Sequence, residues 1–379
     1  MAKEENFEDV GEEIPEEFKK VDGATTTVEE IDEQVDKGGA TAGNSAITSM
    51  LKSMKVGTDM SNMVMPGSFI LPRSTLGYFA ENCSGYFDQL IQCNAIDDPM
   101  ERMLQVYRYL MSTRYIPKDV SKKPLNPVLG ETSELKTNFP NINATAHSLC
   151  EQISHHPPIS SSIVYGSGVS VAYYSPIKGA FMGTYIKLNL DGHLVIKVDK
   201  FNEEYHCTLP SMAIRMFRGF GEFIGNSTLT CTSNNFSIQT KFLPKPLLIG
   251  NYNVIEGKVF KGKDKVFKLK GQWDGEVKIS PYKKDDYKHF FEKSKLTPGV
   301  AEPIPEIQLL PTDSTKIWGG LFAAAKSSAS SRDITREKTL VEEDQRKKAQ
   351  ERKTKGEEWK PNHFTQDKEG RWILNSFKN

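Results

Sequence analysis

The chain has 379 residues, 37 % hydrophobic and 26 % charged, enough apolar matter for one large domain or two ordinary ones. No apolar run approaches the ~18 residues of a membrane-spanning helix, and the opening MAKEENFEDVGEE is acidic where a secretory signal is basic and then apolar. The formal charge of zero hides a split: residues 1–40 hold 14 acids against 4 lysines (−10), and the remainder 45 basic against 35 acidic residues (+10). A basic body of this kind suits anionic surfaces or ligands.

Residues 1–43 are rich in Glu, Gly and Thr with no sustained period, and they read as a disordered acidic tail. In NSAITSMLKSMKVG (44–57), Ile47, Met50, Leu51 and Met54 recur at i, i+3, i+4 and i+7. That is one apolar stripe of a short helix, with Asn44 or Ser45 to cap it and Gly57 to end it. MERMLQVYRYLMSTRY (100–115) reads as a longer amphipathic helix opened by Pro99. From about Ile142 to Ser280 the period becomes two. In IKLNLDGHLVIKV (186–198), a three-residue loop of Asp191, Gly192 and His193 would pair Leu190 with Leu194 and share one apolar face. Alternation recurs in 236–242 and 258–279, so the region is a meander of antiparallel strands. There are too many for a small sandwich, and a large barrel or strongly curved sheet would dispose of the edges. Helical patterning returns after Pro311 in DSTKIWGGLFAAAK and in a charged run from Arg336 to Lys355. The five cysteines include no C-x-x-C pair, which favours neither a disulfide framework nor structural zinc and fits a reducing cytosol.

The chemistry concentrates in EQISHHPPIS (151–160), where His155 and His156 adjoin Pro157 and Pro158. Neighbouring side chains on an extended strand point to opposite sides, so one metal ion does not easily take both imidazoles. Cys150 is near, but no base with an orienting partner can be read beside it. The bland alternative is that both rings satisfy backbone groups where the prolines stop a strand. An anion clamp is the third reading, since imidazole protonates readily beside a phosphate. Two other segments add cations. SKKPLNPVLGE (121–131) presents Lys122, Lys123 and Asn126 around two prolines, and Lys338, Glu342 and Arg346 share one face of a helix at four-residue spacing.

Together these segments resemble the oxysterol-binding protein family. EQISHHPPIS matches its E-Q-V-S-H-H-P-P fingerprint with Ile153 for Val, and KKPLNPVLGE matches its K-K-P-x-N-P-x-L-G-E block. FILPRSTL, NYNVIEGKV, GQWDG, DSTKIW and WKPNHF extend the likeness over roughly residues 44–365. The resemblance implies an α+β, β-dominated fold: a large, near-complete antiparallel barrel around a lipid tunnel, with an N-terminal lid and flanking helices. The implied domains are the tail 1–43 and a lipid-binding and transfer domain 44–379 with its lid at about 44–63.

By the same resemblance, Lys123, Asn126, His155, His156, Lys338, Glu342 and Arg346 hold a phosphatidylinositol 4-phosphate headgroup. Ile47, Met50, Leu51 and Met54 form the lid and meet the membrane. The implied activity is non-vesicular exchange of that lipid for a sterol or phosphatidylserine, or, as the alternative, lipid sensing without net transfer. No catalysis, metal, cofactor or nucleic-acid partner is expected. KVGTDM (55–60) looks more like the phosphatidylserine carriers, and Arg114 would sit awkwardly against an apolar sterol unless it points outward. The expected location is the cytosol, peripherally at endoplasmic reticulum, Golgi or plasma membrane. NFEDVGE (6–12) loosely resembles a motif for a VAP-type endoplasmic-reticulum receptor, with Phe7 at its centre.

Overall fold

The computed structural model describes residues 28–37, 54–60, 66–302, 304–368 and 370–375. Helix α1 spans residues 28–37. Strand β1 (Ile70–Ser74) then leads into α2 (Thr75–Ser84), α3 (Asp88–Ile91) and α4 (Pro99–Ser112), and β2 (Lys123–Leu125) returns to pair with β1 in parallel. The body is an antiparallel sheet of 15 strands. It runs through β3 (Thr132–Phe139), β4 (Ala144–Ser154), β5 (Ile159–Gly166), β6 (Val169–Phe181), β7 (Ile186–Leu190) and β8 (His193–Val198). Then come β9 (Glu203–Thr208), β10 (Ser211–Arg215), β11 (Phe220–Cys231), β12 (Phe236–Leu243) and β13 (Val254–Lys261). The sheet ends with β14 (Asp264–Gln272), β15 (Glu276–Pro281), β16 (Lys288–Glu292) and β17 (Val300–Glu302). Helices α5 (Ser314–Ile317), α6 (Gly319–Lys326) and α7 (Ser331–Lys355) follow, and a small hairpin of β18 (Phe364–Gln366) and β19 (Trp372–Leu374) comes last.

The strands read as alternating bury one face. In β12, Phe236, Ile238, Thr240 and Phe242 point inward while their neighbours are more exposed. Phe236, Ile238 and Phe242 join Ile255, Val259, Leu269 and Val277 of the next three strands in one core. Each such side chain stabilises the fold by about 1.5–3 kcal/mol relative to exposure. Helix α4 forms because Asp98 accepts hydrogen bonds from Met100 N (2.9 Å) and Glu101 N (2.8 Å) and Pro99 suits the first turn. It is buried almost all round, and Tyr107 Oη meets Thr240 Oγ1 at 3.0 Å on the sheet wall. The sheet's terminal strands, β16 and β17, do not pair with each other. Near that seam the helices bond to the chain: Arg108 Nε donates to Phe290 O (3.2 Å) and Gly299 N to Gly85 O (2.7 Å). A nearly closed barrel with helices inside it thus leaves little open edge.

Three expectations need correction. β7 and β8 are not a hairpin. They lie end to end along the 13-residue β6, Ile177 opposite Leu190 and Tyr174 opposite His193. The chain crosses at Gly192, where a Cβ would come within 1.9 Å of Tyr174 O, so the Asp-Gly pair makes a close passage rather than a turn. Residues 28–37 are not an irregular tail but a helix, with Ile31 and Val35 packed among Phe69, Phe181 and Met216. Its Asp32 accepts from Gly67 N (3.0 Å), Thr335 Oγ1 (2.7 Å) and Ser331 Oγ, and Asp36 from Ser331 N (2.7 Å). Finally, residues 54–57 are a bend and turn, not a helix end. The segment adds to β6 instead, Gly57 N donating to Phe181 O (2.7 Å) and Met60 N to Gly179 O (2.9 Å). Ile47, Met50 and Leu51 lie outside the described residues; Met54 packs on the Ile31 cluster.

Candidate functional site

The KKPLNPVLGE segment is held by a buried carboxylate. Glu131 accepts from Val128 N (2.9 Å), Ser314 Oγ (2.6 Å) and Trp318 Nε1 (2.8 Å), and burial nevertheless pushes its carboxyl upward. Gly130 sits at φ +78°, and a Cβ there would lie 2.6 Å from the Trp359 ring, which explains why this block ends in Leu-Gly-Glu packed under WKPNHF. Gly130 N and Gln152 O (2.9 Å), with Gln152 N and Glu131 O (2.9 Å), tie the segment to the end of β4. A second buried carboxylate, Glu151, accepts from Asn362 N (2.7 Å) and His363 N (2.9 Å). The two glutamates of the motifs are therefore staples between distant parts of the chain.

Those staples set the histidines. The strand ends at Ser154, and residues 155–158 form a turn rather than extended chain, with a cis His156–Pro157 bond. The two rings accordingly do not point apart; they meet edge to face, 4.6 Å between centroids. His155 Nδ1 lies 3.1 Å from Pro127 O, so Nδ1 carries the proton and Nε2 is left as the acceptor. Burial, then the neighbouring His156, holds the His155 imidazole below its ordinary pKa, against the pull of Pro127 O and Glu342. His156 is exposed.

α7 supplies the third element. Ile334 and Val341 pack with Leu125, Val128, Trp318 and Leu321, and Lys338 and Glu342 lie on the same side of the helix. Lys338 Nζ is 2.5 Å from Glu342 Oε1 and largely buried, whereas Arg346 Nη2 is 3.7 Å from Glu342 Oε2 and exposed. Burial chiefly, and the charge of Lys338, lower the Lys123 amine, with Glu342 partly offsetting them. Lys123, Asn126, His155, His156, Lys338, Glu342 and Arg346 therefore occupy one neighbourhood, with several cationic or protonatable groups around one carboxylate.

Beneath it lies a cavity of about 380 Å³. Lys122, Lys123, Asn126, Pro127 and Pro158 line one part of its wall, and Ile177, Leu188, Leu194, Met212, Ile214 and Phe223 are among the apolar side chains of the rest. Met60, from the segment added to β6, also borders it. Cys150 belongs to none of this: it is fully buried and its thiol is pushed up to about 12 by burial, the wrong direction for a nucleophile. No helix among the described residues is long and apolar enough to cross a membrane.

The family model described as "Oxysterol-binding protein" matches residues 46–328. This chain belongs to the oxysterol-binding protein family. Oxysterol-binding protein 1 of Dictyostelium discoideum is 42 % identical over 358 residues, covering 93 % of this chain and 91 % of that protein. Oxysterol-binding protein 3 of the same organism is 33 % identical, covering 79 % and 82 %. Among solved structures, the Osh1 ORD domain with cholesterol superimposes with a TM-score of 0.70 at 23 % identity, covering 86 % of this chain and 85 % of that one. The Saccharomyces cerevisiae Osh3 ORD with PI(4)P gives 0.67 at 21 %, covering 84 % and 87 %. These likenesses establish the β-dominated barrel fold of the oxysterol-binding proteins. The matched region stops before α7, so the placement of Lys338 and Glu342 beside Lys123 rests on this chain's own packing.

Two contributors were not foreseen. Asp32 and Asp36 tie α1 to the start of α7; their signal was the Val28, Ile31, Val35 stripe inside an acidic stretch. Arg114 was noticed in the sequence, but its direction was not legible there. It points inward and lines the cavity.

Proposed function

We propose that this chain is a lipid carrier that lifts phosphatidylinositol 4-phosphate from one membrane and exchanges it for a second lipid, a sterol or phosphatidylserine. The observation that carries the reading is the stacking of one polar cluster, drawn from three distant segments, over an apolar cavity. Lys123, Lys338 and Arg346 can meet phosphate oxygens by charge-assisted hydrogen bonds; Asn126 and His156 add donors, and Glu342 and His155 Nε2 accept inositol hydroxyls. The Osh3 ORD complex with PI(4)P and the Osh1 ORD complex with cholesterol support both cargo types for such a barrel. Drawing a two-chain lipid from a bilayer exposes some thirty methylenes, on the order of 20 kcal/mol, which a dry cavity offsets and surface adsorption does not. On this reading residues 44–379 form the transfer domain, residues near 44–63 its lid, and the location is cytosolic and peripheral. A VAP-type receptor contact through Phe7 belongs to the same reading.

A membrane-facing side fits it as well. In the loop between β12 and β13, Leu248 and Ile249 are 92 % and 93 % exposed. The loop leans on Arg218, whose Nη2 donates to Pro246 O (3.5 Å), two residues beyond Met216 on the cavity wall. Apolar side chains left in water beside the cavity rim suit contact with a bilayer.

The test is extraction of the phosphoinositide from vesicles by the full chain. His155→Ala combined with His156→Ala removes the His156 hydrogen bond to a charged group, worth ~1.5–3 kcal/mol, together with the His155 acceptor, so uptake falls at least about tenfold with melting unchanged. Undiminished uptake defeats the assignment. A donor-to-acceptor vesicle assay separates carrier from sensor, because a sensor saturates at one lipid per chain.

A further inference from the structure

Arg114 follows the C-terminus of α4 and its side chain is only 7 % exposed. It lines the cavity, yet Nε and Nη2 are buried without a geometric hydrogen-bond partner among the described residues. A guanidinium does not shed its proton in a protein, so it stands as a buried charge. What surrounds it compensates poorly: the Cys207 thiol, raised by burial and drawn back in part by Arg114, is a weak acceptor and carries no charge to offset the guanidinium. The Phe223 and Phe242 ring centroids lie 5.7 and 5.9 Å from Arg114 Cζ, at the outer limit of a cation–π contact. The carbonyl end of α4 contributes a partial negative charge. A charge that does interact with it has the wrong sign: Lys293 Nζ donates to the carbonyl oxygen of Arg114 itself. Burial first, and Arg114's charge after it, bring the Lys293 amine down to about 8, with Asp274 acting the other way.

Two unfilled donors and an unmet positive charge on a cavity wall call for a ligand that brings acceptors and negative charge together. A neutral hydroxyl supplies an acceptor but leaves the charge uncompensated. A carboxylate or phosphate supplies both, in the planar two-point geometry that a guanidinium fork matches. We propose that Arg114 is the internal anchor for the second cargo, so that this chain exchanges its phosphoinositide for a lipid with an anionic headgroup rather than for a neutral sterol. This rests on the carrier reading above and narrows it. Within the cavity the two lipids then use different polar ends: the outer cluster of Lys123, His155 and Lys338 for one, Arg114 for the other.

The experiment offers the full chain neutral phosphatidylcholine vesicles doped in turn with phosphatidylserine, phosphatidic acid, cholesterol or the phosphoinositide, and quantifies the lipid extracted. Wild type, Arg114→Leu, Arg114→Lys and the double histidine variant are compared, with melting temperature as a control on folding. The wild type takes phosphatidylserine or phosphatidic acid in preference to cholesterol; uptake of the first alone identifies a carboxylate ligand, of the second alone a phosphate. Arg114→Leu reduces that uptake at least about tenfold, the worth of one charge-assisted contact, and shifts preference toward cholesterol. Arg114→Lys keeps the charge and retains part of the uptake. The double histidine variant loses the phosphoinositide but keeps the other anionic lipid. A wild type that prefers cholesterol overturns the proposal, as does an Arg114→Leu variant with unchanged preference. Uniform loss of every lipid in both Arg114 variants also overturns it, since a packing role alone does that. If the wild type extracts no phosphoinositide but takes an anionic lipid in an Arg114-dependent way, the carrier reading fails and the anchor stands.

Discussion

Arg102 and Arg114 stand at opposite ends of the same helix, α4, and both are buried, 3 % and 7 % exposed. Their company could hardly differ more. Arg102 is gripped on both edges by Glu203, Nε to Oε2 at 2.6 Å and Nη2 to Oε1 at 2.6 Å, and Nη1 donates to Ile96 O (2.5 Å) and Asp97 O (3.2 Å). Tyr205 and Asn234 complete the carboxylate's shell. Arg114 has none of this. A buried charge whose donors are all used within the chain belongs to the architecture; one whose donors are unused on a cavity wall points to something the chain must bind.

Removing each arginine separates the two most sharply. Arg102→Ala leaves Glu203 buried without its cation and should lower stability by about 3–5 kcal/mol. Arg114→Leu removes a charge that is poorly offset among the described residues and should change stability by less than ~1 kcal/mol, or raise it. Denaturant unfolding of the two variants measures the gap, and equal losses would break the contrast. Acid sharpens it further. Burial alone would raise the Glu203 carboxyl, but Arg102 and Tyr205 hold it below its ordinary value. A depressed carboxyl adds stability above the unfolded pKa, near ~4.3, and that contribution fades as pH falls through the folded value. The deficit of Arg102→Ala should therefore narrow as pH drops below about 4.

Asp32 falls on the satisfied side of the comparison. At 1 % exposure it accepts from Gly67 N, Ser331 Oγ and Thr335 Oγ1. Asp32→Ala strands those donors, and urea unfolding should show a loss of about 1–3 kcal/mol. An unchanged midpoint would mean that α1 is not docked through this carboxylate.

How much of this the sequence disclosed depended on whether the deciding partner was local. In β12 to β15, inward and outward residues alternate and each strand pairs with the next, so period and turns were enough. The spacing of apolar residues in β7 and β8 suggests a hairpin as readily, yet their shared partner is a long strand upstream that accommodates both, and no local pattern reveals its length. The polar cluster was legible because prolines, histidines and lysines crowd short motifs; that its histidines turn toward each other required the turn at 155–158. α1 was obscured by composition, three apolar residues among many acids. For Arg114 the sequence offered the residue and not its direction.

The smallest expected effect lies in the β12–β13 loop, where the comparison is carried from charge to apolar surface. Ile238 and Phe242, on the strand before the loop, are fully covered; Leu248 and Ile249, a few residues on, are left exposed by the described residues. If the rule drawn from the two arginines extends to them, their partner is outside the fold, and the carrier reading names it as the bilayer at the cavity rim. Leu248→Ser with Ile249→Ser should then leave stability within ~0.5 kcal/mol of wild type. Full burial of one such side chain is worth about 1.5–3 kcal/mol, and a loop that dips only partway recovers a fraction of that. Co-sedimentation with vesicles should accordingly weaken by several-fold, with extraction slowed to match. Unaltered sedimentation would detach this loop from the membrane, leaving the contrast to rest on charge alone.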